Sequence, residues 1–166
     1  MRQEKWGRTD LIEVRQVLQL EPEDIDPLVR ASVSEGFEFT SRLYDEWRSG
    51  EQQFARPGEC LFGAFEARKL VGVGGLTHDP FVDDLGLGRV RRMYVHPEYR
   101  RRGVASAILA RVIAAATVNF LELNLYAESE EAFALYESAG FLLVDRQAEG
   151  GRKCTHHLSL AGSPRG

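Results

Sequence analysis

The chain has 166 residues, 43% apolar and 28% charged, and a net charge of −4 from 21 basic and 25 acidic side chains. A chain of this size buries roughly 70% of its unfolded surface, so it forms a core without disulfides or metal. This composition excludes disorder as the main state, and the two cysteines, Cys60 and Cys154, exclude a disulfide scaffold.

The longest apolar stretch, 104–120, is interrupted by Arg111, so no membrane-crossing helix is expected. The opening MRQEKWGRTD lacks the apolar segment of a secretory leader, and a cytoplasmic location is expected. One domain over 9–160 is expected, with flexible ends at 1–8 and 161–166. The acidic balance argues against nucleic acid as a partner. The charge is uneven, however. Arg89, Arg91, Arg92, Arg100, Arg101 and Arg102 crowd one stretch, while Glu21, Glu23, Asp24 and Asp26 cluster near the front. That pattern suits an anionic ligand held at one place on an acidic body.

In chain order, 11–20 reads as a β-branched strand with an irregularity near Arg15 and Gln16. EPEDIDPLVRASVSEG opens with acids and proline, as the positive end of a helix dipole favours. It places Ile25, Leu28, Val29 and Ser32 on one face. After the aromatic loop GFEF, a helix over 40–49 is expected to bury Leu43, Tyr44 and Trp47. The apolar runs 61–66 and 70–77 read as a hairpin turning at 67–69. The loop HDPFVDDLGLG leads to a strand over 89–95, which His96 and Pro97 stop. A helix over 104–118 follows, then a strand over 120–127. The next helix, 129–139, has Ser129 as its N-cap and Gly140 just past its end. Strands over 141–146 and 154–160 flank a turn at Gly150 and Gly151. Alternation of this kind specifies one α/β domain.

The most informative stretch is strand–HPEYRRRGVA–helix. A basic, glycine-containing loop that opens a helix converges backbone N–H groups on an anion, and the helix dipole adds favourable potential. Gly103 permits close backbone approach and Ala105 leaves room above the first turn. The loop alone reads equally as a solvated basic cap. Arginines at a helix N-terminus run against the dipole preference, which tilts the reading toward an anion. No Gly-Lys-Ser/Thr follows and the three-glycine dinucleotide spacing is missing, so neither nucleotide fingerprint applies.

YVHPEYRRRGVA resembles the signature loop of the GNAT superfamily of N-acetyltransferases, Arg/Gln-x-x-Gly-x-Gly/Ala, here filled by Arg100, Gly103 and Ala105. AFALYESAGF, at 132–141, resembles the Ala-x-x-x-Tyr-Glu-x-x-Gly-Phe stretch later in that fold. The resemblance is strong from 89 to 141 and rests on element order elsewhere. It implies a mixed, mostly antiparallel sheet of about seven strands flanked by about four helices. It also implies acetyl transfer from acetyl-CoA, as co-substrate, to an amine of a small molecule or peptide.

On that resemblance the loop Arg100, Arg101, Arg102, Gly103, Val104, Ala105 and Ser106 cradles the CoA pyrophosphate. The backbone around Met93 and Val95 pairs with the pantetheine, and a bulge there leaves an N–H facing the thioester oxygen. Such a preorganised donor is worth about 2.7–4 kcal/mol. Phe133 joins the cofactor set. Ser129 stands where the family commonly carries asparagine, and Asn124 is a further cleft candidate. Tyr136 is the implied general acid to the CoA thiolate.

Arg89 occupies the position of a frequent family glutamate, so the base is unassigned; Glu35, Glu38, Asp83, Asp84 and Glu122 are candidates, beside a water chain. His156 and His157 are adjacent on a strand and face opposite sides, so no metal is implied. A homodimer through the terminal strands is possible for such a fold. The competing readings are a non-catalytic acyl-CoA-binding module of the same fold and a binder of anionic partners through the arginine cluster.

Overall fold

The computed structural model describes residues 11–150 and 152–160. The ends expected at 1–8 and 161–166, residues 9 and 10 of the expected domain, and Gly151 of the expected turn lie outside the described residues. Along the chain run β1 (Ile12–Gln16), α1 (Pro22–Ser34), α2 (Phe39–Ser49), β2 (Cys60–Glu66), β3 (Lys69–His78) and β4 (Leu87–Val95). A short 3₁₀ turn (Pro97–Tyr99) precedes α3 (Val104–Asn119), β5 (Glu122–Leu125), α4 (Glu130–Ser138), β6 (Leu142–Leu143) and β7 (His156–Ser159). The seven strands form one sheet in the order β1-β2-β3-β4-β5-β7-β6. Among the described residues, only the β4–β5 pairing is parallel.

Both faces of the central strands are covered, which is why β2 and β3 read as nearly unbroken apolar runs. Cys60, Phe62 and Ala64 of β2 enter one core with Ile108 and Val112 of α3 and Phe133 and Tyr136 of α4. Leu61, on the opposite face, enters a second core with Ile25 and Leu28 of α1 and Leu43 and Trp47 of α2. Tyr44 stays only half-buried. The two helices are further joined by a buried hydrogen bond between the Ser32 and Thr40 hydroxyls.

Four strands differ from expectation, the last, β7, covering only His156–Ser159 of the expected 154–160. The first strand ends at Gln16 without an internal irregularity; Val17 then turns into the second core, and the register slip lies in the β2–β3 pairing at Ala64 and Phe65, with Val71 of β3 as the extra residue. The fifth strand is shorter than expected because Phe120 ends α3, its N–H bonded to Ala116, and Leu121 bonds to Gly86 instead of a strand partner. The sixth strand shrinks to two residues, since Asp145 begins a turn and caps the Gln147 N–H.

The central irregularity governs the site. β4 and β5 pair only through Leu87–Glu122, Gly88–Leu123 and Arg89–Asn124, after which β4 continues with β3 alone. Between the pairs Gly75–Arg91 and Val73–Tyr94, Gly74 opposes both Arg92 and Met93, a β-bulge with Arg92 at φ 60°. The sheet is therefore open beside a bulged strand.

Candidate functional site

The loop after β4 is shaped by two left-handed residues, Arg101 (φ 64°) and Gly103 (φ 77°). The arginine holds a conformation costly to any residue with a Cβ, and such strain persists where the surroundings enforce it. The first bond of α3 runs from the Ala107 N–H to the Gly103 carbonyl (3.0 Å), and no side chain caps the helix. The N–H groups of Val104, Ala105 and Ser106 are thus left for an anion at the positive end of the dipole. A Cβ on Gly103 would meet nothing within 4 Å, so this glycine serves by its conformation and leaves the space above the loop open. Pyrophosphate fits this open, uncapped turn.

The loop's side chains divide. Arg100 is committed to the protein: its Nε donates to the Val95 carbonyl (3.0 Å), and its two terminal nitrogens donate to Glu35 (2.8 and 2.9 Å). Its guanidinium also lies over the Tyr94 ring, at 5.3 Å from the centroid. Arg102 sits over Tyr99 at 5.0 Å, and Arg101 is exposed. Val104 is buried in the first core, and Ala105 packs against it. Exposed Ser106 lines a groove of about 490 Å³ between α3 and α4 together with Leu109, Ala110, Ile113, Leu135 and Ala139. On β4, Met93 packs against the first core beneath Gly74, and Val95 is buried in the same core.

Ser129 is the N-cap of α4, its hydroxyl accepting from the Ala132 N–H (3.1 Å). The helix is fastened to β7 by Glu137, which lies 2.9 Å from Nε2 of the fully buried His156. Phe133 meets the His156 ring edge-on at 4.9 Å and carries Arg146 over its face. Tyr136 is 7% exposed and packs edge-on against Phe141 at 5.7 Å. Burial alone pushes its phenol well above the ordinary tyrosine range, so it stays protonated. Of the adjacent histidines, His156 is packed and His157 is partly exposed.

A polar chain crosses the sheet where the β4 glutamate was missing. Arg89, 4% exposed, pairs with the fully buried Asp79 carboxylate (3.3 Å) and donates to the Lys153 carbonyl (2.6 Å). Asp79 also accepts from the Asn124 amide (3.2 Å), Asn124 bonds His157 (2.8 Å), and His157 reaches Glu122 (2.8 Å). Sequence reading did not single out Asp79. The signal was there: an arginine inside an apolar strand requires a carboxylate, and Asp79 stands at the opening of the loop that leads into that strand.

The base candidates do not converge. Glu35 is held below the usual carboxylate range by Arg100 first and Tyr94 second. Glu38 lies 3.8 Å from Arg42, Asp84 caps the Gly86 N–H (2.9 Å), Asp83 is exposed, and Glu122 is the partner of His157.

The sequence matches the family model for the acetyltransferase (GNAT) family over residues 23–141. It is 31% identical over 129 residues to an uncharacterised protein of Mycobacterium leprae, covering 73% of this chain but only 35% of that protein. The N-alpha-acetyltransferase RimI of Mycobacterium tuberculosis is 28% identical over 133 residues, or 75% of this chain and 81% of RimI. Among solved structures, a protein from Exiguobacterium sp. 255-15 described as an acetyltransferase superposes with a TM-score of 0.78 at 28% identity, covering 93% of this chain and 99% of its own. With its splayed seven-stranded sheet and uncapped loop–helix turn, the chain belongs to the GNAT acetyltransferase family.

Proposed function

We propose that this protein transfers the acetyl group of acetyl-CoA to an amine by direct attack, with Tyr136 as general acid. The observation that carries the reading is the opening between β4 and β5, which begins after Arg89 and holds the bulge at Arg92 and Met93. Acetyl-CoA, when bound, supplies an activated thioester and a thiol leaving group. The N–H groups of residues 101–106 hold the pyrophosphate, and Arg100 braces the loop through Glu35. The free β4 edge from Met93 to Val95 aligns the pantetheine, and the bulge aims one N–H at the thioester oxygen, where negative charge develops. Phe133 and the Ser129 hydroxyl hydrogen border the same chain. Tyr136, kept protonated by burial, gives its proton to the leaving sulfur.

Two features support direct attack. Cys60 is buried, with its thiol pushed up to about 11, and burial also raises Cys154, so neither supplies a thiolate nucleophile near neutral pH. The amine's proton goes to solvent, because the buried Asp79 carboxylate is saturated by Arg89, Asn124 and the Phe81 N–H. The same replacement of a base by an ion pair favours, as a second reading, a module that binds acyl-CoA without turnover.

Following thiol release from acetyl-CoA across a panel of amines separates the readings. Amine-dependent release is expected. Tyr136→Phe should lower kcat about 10²-fold with little change in the KM for acetyl-CoA. An unchanged kcat would remove Tyr136 from the mechanism, and stabilisation by acetyl-CoA without release would favour the binding module.

A further inference from the structure

A second cavity, of about 220 Å³, lies between segment 52–59, loop 79–85 and β4. Arg91 lines it with Glu59, His78 and Asp79, and Asp83 and Asp84 stand among its exposed wall residues. The bulge explains how Arg91 comes to be there. Val90 and Met93 pack with the first core, so Arg91 and Arg92 both face the α1–α2 side.

The three arginines of β4 are treated differently. Arg89 is paired with Asp79 and Arg92 with Glu46 (3.1 Å), whereas Arg91 has no ion pair or hydrogen bond among the described residues. It is nonetheless half-buried, and burial followed by the Arg92 charge disfavours its protonated form. An anion that joins a half-buried cation with no direct partner offsets part of its desolvation. In the same cavity Glu59 is 8% exposed; its Oε2 accepts from the His78 N–H (3.0 Å), but the buried Oε1 has no partner. His78 Nε2 donates to the Pro57 carbonyl (2.9 Å), and its buried Nδ1 has no hydrogen-bond partner. The cavity thus presents a cation with no direct partner, which Glu46 and Glu59 favour only at longer range, beside two buried polar atoms that lack hydrogen-bond partners.

We propose that this cavity is the acceptor's specificity subsite, in which Arg91 holds the carboxylate of an amino-acid-like acceptor and Glu59 takes an N–H of the same molecule. At about 220 Å³ the cavity has room for an amino-acid head group together with part of its side chain. Asp83 and Asp84 select a zwitterion over a dianion. The inference rests on the amine acetylation proposed above and names its substrate class.

The test compares thiol release for paired acceptors that differ only in the carboxylate: L-leucine against isoamylamine, and L-lysine against cadaverine. The amino acid of at least one pair should be preferred about tenfold or more in kcat/KM. Arg91→Gln should erase that preference through KM, and Arg91→Lys should restore part of it. Equal or better use of the decarboxylated amines would assign the cavity to a cationic group and overturn the proposal, as would a preference that survives Arg91→Gln. If no amine supports release, the reaction reading fails, and calorimetry of N-acetyl-L-leucine with the protein–CoA complex decides the subsite. Binding weakened about tenfold by Arg91→Gln sustains it, and no binding overturns it.

Discussion

Arg89 and Asp79 show how one residue's charge is made tolerable inside a sheet. Each is almost fully buried, and each satisfies the other. Removing one partner strands the other's charge, so Asp79→Asn should destabilise the protein by about 3–5 kcal/mol, read from chemical denaturation. Replacing Arg89 with the glutamate common in the family should fail as a gain of function, because it sets two carboxylates together. Glu35 makes a milder, pH-dependent contribution. Its folded pKa is depressed, first by Arg100 and then by the Tyr94 hydroxyl, which donates at 2.5 Å. A depressed carboxylate stabilises the fold above its unfolded pKa, near 4.3, and loses that contribution as pH falls through its folded value. The Tm gap between wild type and Glu35→Gln should therefore be full at neutral pH and close on acidification; a gap independent of pH would refute the assignment.

At the level of elements, the loop–helix turn depends on backbone shape. Gly103→Ala places a Cβ at φ 77° where nothing touches it, so its cost is conformational, about 1–2 kcal/mol. That cost should appear in denaturant midpoints and, if the turn distorts, as weaker acetyl-CoA binding. The turn was legible in the sequence because Arg100, Gly103 and Ala105 fix a local geometry, and the same holds for Ser129 at the start of α4. Short strands were not. β6 consists of Leu142 and Leu143 with exposed side chains, and its apolar neighbours promised a longer strand than the turn at Asp145 permits. The bulge at Arg92 was expected from family resemblance alone, since nothing in GRVRRMYV announces a slip. Likewise, Arg100 looked like a phosphate ligand, yet its guanidinium is taken by Glu35, sixty-five positions away. Long-range pairings of that kind leave no local pattern.

For the molecule as a whole, the two cores grip the sheet from both faces while the β4–β5 opening stays unfilled by strand pairing. A ligand that fills this opening binds only the folded state. At a concentration of 100 Kd, acetyl-CoA should add about 2.7 kcal/mol of stability and raise Tm accordingly. Arg89, Arg92 and Arg100 are each neutralised internally, which weakens the reading of the arginine cluster as a broad anionic-partner surface. The most direct measurement is a crystal structure of the protein with acetyl-CoA. The account predicts the pyrophosphate on the N–H groups of residues 101–106, the pantetheine along β4 beyond Arg89, and the sulfur within hydrogen-bond reach of the Tyr136 hydroxyl. A thioester lodged away from the β4–β5 opening, or a sulfur out of reach of Tyr136, would contradict it.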